Sequence, residues 1–153
     1  MSIYSKILLA VDLNADSLAV SRRARDLAVL TGAELTVLHV VEYVPVEPVG
    51  ENMIPPVPLL DELAGSARRR LTTLCAAIGV DADHQRVEVG SVKSEVVRVA
   101  RDMGCDLIML GARERHGLSI FVNLTEDTVL HAASCDVLAV RVSEAESLKA
   151  TSR

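Results

Sequence analysis

A single doubly wound α/β domain, with a parallel sheet covered by helices on both faces, is the fold class the sequence predicts. Three observations lead to it. Short apolar runs alternate with segments of helical period along the whole chain, the order that builds βαβ units with right-handed crossovers. The runs are continuous rather than alternately apolar and polar, as strands buried on both faces are, and glycines close the helical segments. With 153 residues the chain can bury one core and is too short for two ordinary domains. Residues 1–142 are assigned to the domain and 143–153 to a polar tail.

The first strand is Ile7-Leu8-Leu9-Ala10-Val11, ending at Asp12. Asn14 is placed to cap the following helix and Asp16 to meet its dipole, with Val20, Ala24, Leu27 and Ala28 repeating at helical spacing up to Gly32. Glu34 to Val41, rich in β-branched residues, is the second strand. All 5 prolines then fall between Pro45 and Pro58, a stretch expected to be an extended surface loop rather than a regular helix or central strand. From Leu60 the positions Leu63, Ala64, Ala67, Leu71, Leu74, Cys75 and Ile78 keep helical period until Gly79. Asp83 to Val89 alternates and so leaves one face polar, which suits a sheet edge. Ser91 begins a helix whose buried stripe is Val92, Val96, Val99, Ala100 and Met103, and Gly104 ends it. Leu107 to Leu110 is a fourth strand stopping at Gly111. A loop from Ala112 to about Asn123 leads to a helix carrying Val129, Leu130 and Ala133, and Val137 to Val142 is the fifth strand.

Composition removes several functions. A net charge of −5 and 2% aromatic residues leave neither a basic surface for phosphates nor a stacking platform for bases, so no nucleic-acid partner is expected. The arginines of Arg22-Arg23 and Arg68-Arg69-Arg70 fall in helical patterns and read as solvated helix faces. Every apolar run is shorter than a membrane span. Cys75, Cys105 and Cys135 are too far apart in sequence for a CxxC redox or zinc pair and follow no secretory leader. They are read as reduced, mostly buried thiols of a cytoplasmic protein.

In a doubly wound sheet, ligands bind beyond the carboxyl ends of the strands where strand order reverses. Those ends are Asp12, Val40 with Val41, and Gly111. Asp12 is equally a residue for a turn or a helix cap. No GxxxxGK[ST] segment occurs, and Leu13-Asn14-Ala15-Asp16 replaces the glycine-rich turn of dinucleotide-binding folds. No strand end offers a nucleophile elbow, and His39, His84, His116 and His131 lack metal-ligand spacing. Hence neither a catalytic nor a metal-binding residue is assigned.

At this point the chain resembles the universal stress protein family from Lys6 to Val142. The resemblance rests on Ile7-Leu8-Leu9-Ala10-Val11-Asp12, the run Gly32 to Val40, Gly90, Cys105-Asp106-Leu107-Ile108-Met109-Leu110-Gly111, and Cys135-Asp136-Val137-Leu138-Ala139-Val140. It implies a five-stranded sheet of order 3-2-1-4-5 and homodimers joined through the fifth strand, here Val137, Leu138, Ala139, Val140, Arg141 and Val142. That edge carries no proline and little charge, which favours pairing; cover by a helix or the tail is the alternative. ATP-binding members carry G-x-x-G, nine residues, then G-[ST] after the fourth strand, a cradle of backbone amides for phosphates. Gly111 matches the first glycine, but Glu114 replaces the second and would repel phosphate, and Asn123-Leu124 stands where G-[ST] belongs in a loop one residue short. Ala10, Asp12 and Val40 match nucleoside-contacting positions, and Gly117 and Thr125 could serve a remodelled phosphate loop. The pattern resembles the universal stress protein A branch. It implies a non-catalytic, homodimeric stress-response module that acts through protein contacts and holds no cofactor. A switch binding ATP or AMP at the six positions just named is the alternative, and slow nucleotide hydrolysis would depend on it.

Overall fold

The computed structural model describes residues 2–42, 57–113, 124–143, 146 and 149. Among the described residues, five strands, β1 (Lys6–Ala10), β2 (Glu34–Glu42), β3 (Gln85–Gly90), β4 (Leu107–Arg113) and β5 (Asp136–Val142), alternate with four α-helices, α1 (Ser17–Thr31), α2 (Val57–Ile78), α3 (Val92–Met103) and α4 (Leu124–Ala132). All paired strands are parallel, in the order β3-β2-β1-β4-β5. The alternating strand β3 is an edge, as its polar face requires.

Side chains of successive residues point to opposite faces of a sheet, and the continuous apolar runs therefore feed two cores. Ile7, Leu9, Val37, Leu107 and Met109 pack with Val20 and Ala24 of α1 and Leu71 and Cys75 of α2. Leu8, Leu38, Ile108 and Leu110 pack on the other face with Val96, Val99 and Ala100 of α3 and Val129 of α4. Gly32 and Gly104 end α1 and α3 at φ of 70° and 66°, backbone that suits glycine.

Several elements differ from the sequence expectation. α2 begins at Val57 and takes Pro58 into its first turn, where a missing N–H leaves no bond unmade. The other prolines lie outside the described residues. β4 does not stop at Gly111. It continues through Ala112 and Arg113 because β5 pairs with it as far as Val142. The N-cap of α1 is Asp16 rather than Asn14. Leu130 of the last helix is exposed, Val92 and Met103 of the stripe expected to be buried are only half-buried, and of the thiols Cys75 alone is fully buried.

The amino ends of β1 and β4 are tied by Asp106. Its Oδ2 accepts the Ser5 amide at 2.8 Å and the Ser5 hydroxyl at 2.6 Å, and its Oδ1 accepts the Lys6 amide at 2.9 Å. Burial pushes this carboxyl up, but the hydrogen bonds from Ser5 and Lys6 outweigh it and hold the group below the usual carboxylate range. A depressed folded-state value stabilises the fold above the unfolded value of about 3.9, and the contribution is lost as pH falls through the folded one. The urea midpoint of Asp106→Asn is accordingly lower than that of the wild type near neutral pH, and the gap narrows as pH is taken below the unfolded value of about 3.9. An equal gap at both pH values would contradict this role.

Candidate functional site

β1, β2 and β4 point their carboxyl ends to one side of the sheet. β2 and β4 flank β1 on opposite sides, so strand order reverses between β1 and β4, and the crevice there is the usual ligand position. Ala10 closes β1, opposite Leu38 of β2 and Leu110 of β4. Buried Val40 follows two residues along β2, and both side chains lie on the face covered by α3 and α4. Gly111 faces the other way. A Cβ there would sit 3.2 Å from Cγ2 of Val20, so the absent side chain lets α1 pack close to β4.

Asp12 belongs to a tightly bonded turn. Its carboxylate accepts the Asn14 side-chain amide at 2.6 Å, the Ser17 hydroxyl at 3.1 Å and the Asn14 backbone amide at 3.3 Å. Asn14 in turn accepts the Asp16 amide on its Oδ1 at 2.9 Å and the Ser17 amide on its carbonyl at 3.2 Å. Between them Leu13 adopts a left-handed φ of 57°, although it is a buried leucine, a conformation that costs roughly 1–2 kcal/mol and is held by surrounding contacts. One such contact comes from α2, where Arg70 donates a guanidinium N–H to the Leu13 carbonyl. On the sheet side, His39 Nδ1 lies 2.8 Å from the Val11 carbonyl oxygen; a carbonyl can only accept, so that nitrogen carries the proton.

Four of the six positions for the nucleotide reading, Ala10, Asp12, Val40 and Gly111, therefore meet at one end of the sheet. Thr125 lies in the first turn of α4. Gly117, Glu114 and Asn123 lie outside the described residues. A cleft of about 360 Å³ opens beside the Asp12 turn, between α1 and α2, lined by Leu13, Asn14, Ser17, Arg70 and Thr73 among others. None of Ala10, Val40 and Gly111 lines it. Leu13, Arg70 and Ser17 were beyond sequence reasoning: leucine gives no signal for a positive φ, and Arg70 reads as one residue of an exposed basic run. Among the described residues, no three His, Cys, Asp or Glu side chains converge where a metal ion could sit, and no helix is long and apolar enough to cross a membrane.

Comparison with known proteins places this geometry. The profile of the universal stress protein family matches residues 3–141. The chain belongs to the universal stress protein family. A curated relative, universal stress protein A homolog 1 of Coxiella burnetii, is 39% identical over 142 residues, 92% of this chain and 99% of its own. Among solved structures, one reported as a structure-based assignment of the function of a hypothetical protein superposes with a TM-score of 0.71 at 22% identity, over 93% of this chain and 99% of that one. The crystal structure of a universal stress protein in complex with cAMP gives 0.60, also at 22% identity, over 94% and 100%. At that identity the two structures speak for the fold alone.

In this universal stress protein the outer strand β5 is paired, among the described residues, to β4 only. Val140 and Val142 turn into the core and Val137 is half-buried, whereas Leu138, Ala139 and Arg141 are exposed. Among the described residues, Arg23 of α1 donates to the Arg141 carbonyl and also pairs with Glu146, beside the last residues of β5. Leu138 is 42% exposed and Leu130 of the adjoining α4 is 57% exposed. Large apolar side chains thus border this edge.

Proposed function

We propose that the chain is a cytoplasmic, non-catalytic stress-response module that works as a homodimer through β5 and through contacts with another protein, without holding ATP. The observation that carries the nucleotide part is the Asp12 turn. Its carboxylate is already spent on Asn14 and Ser17, which is the work of a turn residue, so Asp12 needs no nucleoside to be satisfied. Glu114 in place of a phosphate-loop glycine adds a repulsive charge. The dimer part rests on the exposed Leu138 and Leu130 beside an outer strand that, among the described residues, pairs with β4 alone.

A second reading, a nucleotide-binding switch, is favoured by one observation: Ala10, Val40 and Gly111 meet at the switch point of the sheet, and a structural neighbour was solved with cAMP. The two readings separate in a thermal-shift panel. Ligand at 100 times its dissociation constant stabilises the fold by about 2.7 kcal/mol. The leading reading expects no change of melting temperature with ATP, ADP or AMP and magnesium, each at about 1 mM. A rise with any of them favours the switch.

A further inference from the structure

Two cysteines that are far apart in sequence come together at the end of the sheet opposite the Asp12 turn. Cys105 follows α3 directly, through the left-handed Gly104, and leads into β4; Cys135 follows α4 and leads into β5. The β4–β5 ladder starts at Leu107 opposite Asp136, and the Asp136 amide still bonds the Asp106 carbonyl at 3.3 Å. Carrying that register back one residue puts Cys135 opposite Asp106 and diagonal to Cys105. Neighbouring strands lie about 4.8 Å apart and rise about 3.3 Å per residue, which gives a diagonal Cα separation of about 5.8 Å, inside the range of about 4.4–6.8 Å that disulfides span. Both side chains pack against the same core, on the α3 and α4 face. Both are half-buried free thiols, whereas Cys75 is fully buried on the other face.

We infer that Cys105 and Cys135 form a modification site, a dithiol that closes reversibly to an intramolecular disulfide on reaction with a low-molecular-weight disulfide. One thiolate attacks a sulfur of the reagent, forms a mixed disulfide and releases one thiol. The other thiolate then attacks the protein-bound sulfur, forms the Cys105–Cys135 bond and releases the second thiol. The two sulfhydryl protons end on the released thiols, so the protein loses two electrons and two protons and the reagent gains them. The bridge joins the α3–β4 junction to the α4–β5 junction and fixes the start of the outer strand. Burial first and the neighbouring Cys135 second push the Cys105 thiol up to about 11, while the Lys6 ammonium works the other way. The pair is therefore slow at neutral pH and faster in alkali.

The test treats the purified wild-type protein with glutathione disulfide at about pH 9, alkylates the remaining thiols in denaturant, where buried Cys75 is reached too, and reads intact mass and non-reduced peptides. Alkylatable thiols are expected to fall from three to one, Cys75, with a Cys105–Cys135 linked peptide and full recovery on reduction. Cys135→Ser, and separately Cys105→Ser, then stop at a stable glutathione adduct on the remaining member of the pair. Wild-type protein that keeps three alkylatable thiols, accumulates glutathione adducts or links only between chains overturns the inference.

Discussion

Truncating Leu8 to alanine lowers the unfolding free energy by about 3–5 kcal/mol, the range for a fully buried leucine whose surroundings cannot collapse. Leu8 has no exposed surface and lies on the central strand, opposite Thr36 of β2 and Ile108 of β4. Its side chain shares the core with Val96, Val99 and Val129, so the cavity would open between the sheet and two helices at once. At roughly 2–4 °C per kcal/mol for a chain of this size, the melting temperature drops by about 10 °C. Val29→Ala, at a position 78% exposed on α1, shifts stability by no more than about 0.5 kcal/mol. Urea unfolding of both variants checks the contrast, and equal effects would mean that the apolar runs do not face the cores described.

Leu138→Lys turns the proposed dimer into monomer. The exposed Leu138 lies on the outer strand, and a two-fold interface uses the same patch twice, so each change counts twice. Burying a leucine contributes about 1.5–3 kcal/mol; losing two such contributions raises the dimer dissociation constant about 100-fold or more. Lysine on an open strand edge also opposes strand pairing directly. Sedimentation is expected to give twice the 16.4 kDa chain mass for the wild type and the single-chain mass for the variant, with unchanged circular dichroism. A monomeric wild type, or a variant that stays dimeric, would remove β5 from the interface.

Much of the fold was legible because the informative residues are apolar and glycine, whose meaning is largely local. Continuous runs such as Leu107 to Leu110 have no polar face and belong in the sheet centre, while the alternation of Arg86, Val87, Glu88 and Val89 put β3 at an edge. The errors share one cause. Gly111 reads as a strand end by itself, but the partner strand β5 sets the length of β4. Pro58 reads as a helix breaker, yet the first turn needs no N–H from it. Leu130 fits a helical stripe, and the helix turns it to solvent beside β5. At the candidate site, the meeting of Ala10, Asp12, Val40 and Gly111 followed from topology. The left-handed Leu13 and its bond from Arg70 did not, because they depend on how α2 packs against the turn. The inferred proximity of Cys105 and Cys135 was hidden for the same reason: 29 residues of sequence lie between two positions at the neighbouring starts of β4 and β5.

The nucleotide content of freshly purified protein tests the proposed function most directly. The protein, never exposed to added nucleotide, is denatured and its supernatant resolved by ion-exchange chromatography. With Asp12 engaged in its own turn and a glutamate at position 114, where the resemblance puts a glycine in ATP-binding members, no ATP, ADP or AMP is expected above a few per cent of the protein concentration. Release of about one nucleotide per chain would contradict a module that works without ATP and establish the switch in its place.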